Sequence, residues 1–434
     1  NMEANMMPSN MIIAIIIFVA SIVLIAWGRV HRAYVGLVSA TIFIVFGLLP
    51  LNKVLSYLDI NVIGLLTGMA VITYYLERSG FTDWVTITFL KFSGFKPLNA
   101  LLILAMLGSL ISAVLDNVST TLLLAPIAFR LASSFGVSAV PYVLAVALGS
   151  NLVGAALMIG DPPSMMVASA LNLSFIDFIV FEGRPGVFFI IMAACPIAAL
   201  TLLVTAKKYV KSSSSSADLK FVVSKNEVVL AEALTIFFLV VLLLSVRKVY
   251  EIPLWVPPII GALVILALRA PVEKSLDAII KGVDWKTIAF VASILLMSGG
   301  LAEVGFIDLI AKKVYEASES DVVVTSAILI WISVLFSAFI DNIPYFAIMI
   351  PMVMTLSKLS GMDVYTLMWA LLIGGSLGGN CTYIGASANA VAVGLLEKRG
   401  YKVSFLEFTK LGVPYTMTAV LIGEALHYLI FIHA

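Results

Sequence analysis

Ser112-Ala113-Val114-Leu115-Asp116-Asn117 and Ser337-Ala338-Phe339-Ile340-Asp341-Asn342 are two versions of one segment, each an apolar run that ends in an adjacent acid and amide, set 225 positions apart. Sliding the chain by the same 225 positions superposes further landmarks without a gap: Gly36 on Gly261, Asp59 on Asp284, Gly80-Phe81 on Gly305-Phe306, Asp83 on Asp308, and Pro126 on Pro351. Gly149, Gly154 and Ile159-Gly160 fall on Gly374, Gly379 and Ile384-Gly385. Chance supplies matches among apolar residues, but not paired Asp-Asn and glycines at one constant offset. The chain is an internal duplication.

The material around these landmarks is membrane material. Of 434 residues, 62% are hydrophobic and 12% charged, and the mean hydropathy is +1.11, far from soluble domains. Met11–Trp27, Ala33–Leu49 and Ile60–Leu76 each approach the ~20 residues of a spanning helix. The first lacks a basic flank and cleavage site, so it reads as a span and not a signal peptide. Glu77–Lys91 spaces apolar residues helically among charges, as in a helix lying in the interface. The net charge of +1 gives no basis for a nucleic-acid partner. Cys195 and Cys381 lack metal-ligand spacing, which sets aside disulfides and structural zinc, and His31, His427 and His433 read as solvated or interfacial.

Residues 11–205 form repeat 1, 206–227 a linker with the serine run Ser212–Ser216, and 228–432 repeat 2. Each repeat is expected to cross five times if the arms 98–131 and 322–357 are re-entrant hairpins. The fold expected is thus an all-α polytopic membrane protein with ten transmembrane helices and two re-entrant hairpins, in two repeats inverted by the odd crossing count. Nineteen of the 26 lysines and arginines then share a face with Arg29, Arg32, Arg78, Arg130 and Lys207. Lys53, Arg184, Arg247, Lys248, Lys312, Lys313 and Lys358 take the other. The positive-inside rule puts the linker in the cytoplasm and both termini outside a multi-pass protein of the cell membrane.

Inverted repeats with interrupted segments are the signature of secondary transporters, whose sites form from unwound backbone and half-helix ends. The interruptions here carry the polar residues. A carboxylate at membrane depth costs roughly 2.5 kcal/mol or more on insertion scales, so Asp116-Asn117 and Asp341-Asn342 are the first candidates. The alternative reading is that each Asp only caps the helix after it. Gly160, Asp161, Pro162 and Ser164 break a second segment, and Gly385, Ser387 and Asn389 break its mate. Thr120, Asn151, Asn380 and Thr382 complete the set, which offers hydroxyls, amides, free carbonyls and acids to a desolvated cation or a hydroxylated solute. Sodium could sit at Asp116, Asn117, Asp341 and Asn342. No lysine or arginine is among these candidates, which argues against a multivalent anion. Asp161 has no acidic mate, Ala386 standing opposite, so the three acids are candidates for coupling to protons or sodium; Glu424 is a weaker one. No other cofactor is expected.

The segments Asp116-Asn117-Val118-Ser119-Thr120-Thr121, Ile159-Gly160-Asp161-Pro162-Pro163, Asp341-Asn342-Ile343-Pro344 and Gly378-Gly379-Asn380 through Asn389 resemble the ion transporter superfamily branch of arsenite permeases, NhaD-type sodium/proton antiporters and the melanosomal P protein. The resemblance covers essentially the whole chain. It implies a homodimer with a scaffold and a mobile transport domain moving as an elevator, and ion-coupled efflux of arsenite or antimonite. The alternatives are sodium/proton exchange and organic-anion transport. An intramembrane aspartyl protease built on Asp116 and Asp161 would leave the duplicated Asp-Asn unexplained, and Met158 stands where such enzymes carry glycine. Cys381, beside the second motif, could meet a thiophilic metalloid or simply fill space.

Overall fold

A computed structural model describes residues 9–91, 96–210, 225–273 and 282–433; the serine run Ser212–Ser216 lies outside the described residues. The first half holds α1 Ser9–Trp27, α2 Arg32–Val45, α3 Ile60–Arg78, α4 Phe81–Leu90, α5 Pro97–Ser112, α6 Asn117–Phe135, α7 Val140–Gly154, α8 Pro162–Ala170 and α9 Val187–Thr205. The second holds α10 Glu227–Val246, α11 Val256–Glu273, α12 Trp285–Glu303, α13 Phe306–Ser318, α14 Val322–Ser337, α15 Asn342–Ser360, α16 Val364–Gly378, α17 Ser387–Lys398 and α18 Phe405–His427. Among the described residues, eight helices are long and apolar enough to cross a membrane, and five shorter apolar ones run 10–17 residues. The chain is a polytopic, helical membrane protein.

The duplicated residues start and stop these helices. Asp59 caps α3 by accepting from the Asn61 and Val62 amides, and Asp284 caps α12 through the Thr287 amide at 3.1 Å. Gly80 and Gly305 both turn the chain at φ +80°, a left-handed conformation that disfavours a side chain. Gly149 and Gly374 serve packing instead. A Cβ on Gly149 would stand 2.1 Å from the Ala105 carbonyl oxygen, and one on Gly374 would stand 2.3 Å from that of Ile330. Absent side chains thus let α5 meet α7, and α14 meet α16, backbone to backbone.

α7 and α16 make the centre. All of α7 is buried, as is α16 from Thr366 onward, as expected for helices apolar on every face. Around them α5, α6, α9, α14, α15, α17 and α18 form one group, while α2 with α12 and α3 with α10 and α11 form a second, which meets the first where α12 packs on α15. Two details depart from the sequence reading. Val180–Phe181 pairs antiparallel with Arg184–Pro185, joined by Glu182 and Gly183, both at positive φ as a tight hairpin requires; two residues per strand are too few for any periodicity. His427 is no interfacial group. It is 1% exposed, and its Nε2 lies 2.9 Å from the Thr366 carbonyl oxygen, because the last helix continues past it into the turn Tyr428–Ile432.

Candidate functional site

Both Asp-Asn pairs sit where one helix ends and the next begins. Asp116 Oδ1 accepts from the Val118 and Ser119 amides at 3.0 and 2.9 Å, and Asp341 Oδ1 accepts from the Ile343 amide at 3.1 Å. Both acids therefore cap. Their neighbours do something else: Ser112 and Ser337 donate to Oδ1 of Asn117 and of Asn342 at 2.6 and 2.7 Å, which leaves the two side-chain NH2 groups free to donate onward. Both reach one acceptor, Asn151 Oδ1, at 3.3 and 3.5 Å. The two tips thus meet on one side chain of α7.

Asn151 passes the network on. Its amide donates to Asn380 Oδ1 at 3.2 Å and to the Ser376 carbonyl at 3.3 Å, and Asn389 donates to Asn380 Oδ1 at 3.1 Å. Thr382 receives the Ile384 and Gly385 amides and donates to the Ala338 carbonyl. Such a buried amide chain fixes the unwound segments rigidly, since any unpaired member is costly.

A cavity of about 400 Å³ opens over this network. Asp116, Asn117, Asn151, Gly160, Asp161, Pro162, Asp341, Asn342 and Ser387 line it. Thr120, Ser164, Asn380, Thr382, Gly385 and Asn389 stand behind its wall, all buried. Asp161 caps α8 through the Ser164 amide at 3.0 Å and is 2% exposed, yet its Oδ2 has no hydrogen-bond partner among the described residues. A dehydrated cation or a proton would satisfy that oxygen.

Sequence reasoning missed the charged lining residues Arg32, Glu77 and Asp284, and the hydroxyls of Thr73, Ser119 and Thr287 beside them. Arg32 overturns the reading that no basic group belongs to the site: its guanidinium pairs with Asp341 at 3.2 Å, because α2 begins beside the second tip. Arg32 and Glu77 lie at ends of apolar runs and have no charged mate at the repeat offset, so they look like ordinary interfacial charges. Asp284 did carry a signal, its match to Asp59. Beside Arg32, His31 caps α2 by accepting the Ala33 amide on Nδ1. Partial burial, then Lys286 and Arg32, hold its imidazole below the usual range, in the neutral form an acceptor requires.

Among the described residues the charged lining is thus five carboxylates, Glu77, Asp116, Asp161, Asp284 and Asp341, around one guanidinium. The CitMHS citrate transporter model matches residues 22–374. The chain belongs to this citrate transporter family, within the ion transporter superfamily. A transporter of Mycobacterium tuberculosis is 32% identical, with 97% of this chain and 99% of that protein covered. The P protein of Sus scrofa is 26% identical over 97% of this chain and 59% of its own length. The solved structure of the YdaH transporter from Alcanivorax borkumensis superposes with a TM-score of 0.64 at 14% identity, covering 97% of this chain and 98% of that one. MtrF of Neisseria gonorrhoeae superposes with a TM-score of 0.60 at 14% identity, covering 99% and 96%. At that identity the two structures show the fold alone. Family and relatives make the chain a membrane transporter and not an enzyme.

Proposed function

We propose that the chain drives a small uncharged or cationic solute across the cell membrane by coupling it to protons or sodium, with Asp116, Asp161 and Asp341 as the coupling groups. The observation that carries this is the cavity wall, in which five carboxylates face one guanidinium that already pairs with Asp341. Sodium fits as the cation, and undissociated arsenite or antimonite as the uncharged case, because hydroxyls and amides suffice to bind them. Asp116, Asn117, Asp341 and Asn342 are the donor set for sodium.

A second reading, transport of an organic acid such as citrate, is favoured by Arg32 and by the family's description. It requires the guanidinium to leave Asp341.

The rest of the mechanism belongs to the same proposal. The chain crosses ten times, with the two tips as re-entrant hairpins, external termini and a cytoplasmic linker. The group around α7 and α16 moves as an elevator against the group around α2 and α12 in a homodimer. Arg32, Glu77 and Asp284 lie at helix ends on the positive face, so the cavity is open to the cytoplasm. Proteoliposomes given sodium or proton gradients, with arsenite, sodium and citrate tested in turn, provide the test. Uphill movement of arsenite or sodium is expected; uphill movement of citrate alone would replace the first reading by the second.

A further inference from the structure

We infer that Arg32 is a tethered cation: its guanidinium occupies Asp341 when the coupling ion has left, and the ion must displace it to bind. This rests on the reading of Asp341 as a coupling group. Arg32 starts α2, in the group with α12, whereas Asp341 caps α15 and Ser387 starts α17 in the other group. Nη1 donates to Asp341 Oδ2 at 3.2 Å and to the Ser387 hydroxyl, which itself donates to the same carboxylate oxygen. Nη2 donates to Thr287 Oγ1 at 2.9 Å, and that hydroxyl donates to Asp284 Oδ2 at 2.6 Å. One face of the guanidinium lies 5.1 Å from the Phe290 ring centroid. The arginine is held from its own group and reaches across to the other.

One oxygen of the carboxylate it reaches, Oδ2, is fully engaged. Oδ1 takes the Ile343 amide and Oδ2 takes Arg32 and Ser387, so a sodium ion or a proton on Oδ2 needs the guanidinium to withdraw. Withdrawal is open to it, because the Arg32 and Asp341 side chains keep 18% and 13% exposure and both line the cavity. Asp116 differs: it is exposed and makes no ion pair among the described residues. A bare carboxylate is expensive at membrane depth, and a carrier that returns empty must neutralise it. Arg32 supplies that charge for one half of the duplicated site. The carrier then has two neutral forms of Asp341, ion-loaded and arginine-loaded, and exchange between them prevents the ion from leaking through an unoccupied site.

The test uses the full chain purified in detergent. Its thermal unfolding midpoint is followed along a sodium chloride series balanced with choline chloride, and along a pH series without sodium. Arg32→Gln removes the competitor, so the stabilising response should half-saturate at a sodium or proton concentration at least tenfold lower than in the unsubstituted protein. Arg32→Lys keeps the charge but loses the planar fork, and should fall between; if Arg32→Gln does not fold, a threefold shift in Arg32→Lys decides. Asp341→Asn should abolish the response. Half-saturation of Arg32→Gln within twofold of the unsubstituted protein in both series, or no response at all in Arg32→Gln, overturns the inference. Gradient-driven flux in proteoliposomes is scored separately: its absence in the unsubstituted protein defeats the transport reading, while the binding comparison still decides on Arg32.

Discussion

Replacing Asn151 by Ala removes four hydrogen bonds, at 3.3 and 3.5 Å from the two hairpin-tip amides and at 3.2 and 3.3 Å to Asn380 and Ser376. Interhelical hydrogen bonds in membrane proteins average about 0.6 kcal/mol, with a ceiling near 1.7. The long distances favour the lower figure, which gives about 2.4 kcal/mol for the four. A deleted partner that strands a buried group costs roughly 1–3 kcal/mol in soluble proteins. Asn342 and Asn380 are 6% and 0% exposed, so the loss should not fall below about 2 kcal/mol. Thermal unfolding in detergent, with Asn52→Ala at an exposed position as control, should show a clearly lowered midpoint for Asn151→Ala alone. Asn151→Asp is the sharper variant. It keeps the acceptor for the two tips but turns a charged oxygen on Ser376 O and Asn380 Oδ1, so it should be less stable than the alanine protein. An aspartate variant as stable as the unsubstituted protein would refute the donation to Ser376 and Asn380, and an alanine variant as stable would refute the idea that this side chain ties the tips together.

Asp116→Asn or Asp341→Asn should insert normally yet lose gradient-driven flux, and Asp161→Asn should alter its pH dependence; unchanged uphill flux and pH profile in all three would reduce the acids to helix caps. Gly149→Ala and Gly374→Ala place a methyl against backbone carbonyls and should each cost ~1–3 kcal/mol, whereas Gly394→Ala, with open space around it, should be neutral or stabilising when unfolding midpoints are compared. Because the folded His31 pKa is depressed, its contribution to stability is present above the ordinary value of 6.5 and is lost as pH falls toward the lowered one. His31→Gln should flatten that part of the stability profile, and an unaltered slope would count against it. A cysteine at Ser214 should react only with a membrane-permeant thiol reagent, and labelling from outside intact cells would reverse the proposed orientation.

Helix positions were readable because apolar length and the 225-residue offset agree: α3, α4, α5, α6 and α8 have mates that start 225 positions later. The Asp-Asn pairs, the glycines and the unwound segments were readable for the same reason, since repetition marks positions where backbone meets backbone or a cap is required. What escaped was whatever breaks the symmetry. Arg32 and Asp341 are 309 residues apart, a spacing no periodicity contains. The burial of His427 depends on the carbonyl of Thr366, 61 residues away, which only tertiary packing brings near. Glu77 differed in nothing visible from charges that reach for water at a helix end.

The central amide network also sets a condition on biosynthesis. Asn151 is made 225 residues before Ser376, whose carbonyl it bonds. At roughly 5–20 residues per second the ribosome needs about 11–45 s to supply that partner. Through this interval the nascent first half holds Asn151 in the bilayer or its insertion machinery without the Ser376 and Asn380 oxygens that its amide bonds. The last helices to be synthesised therefore close a polar gap in the first. A ribosome stall or truncation beyond residue 205 would leave that gap open, presenting a recognisable feature to the membrane's quality-control proteases.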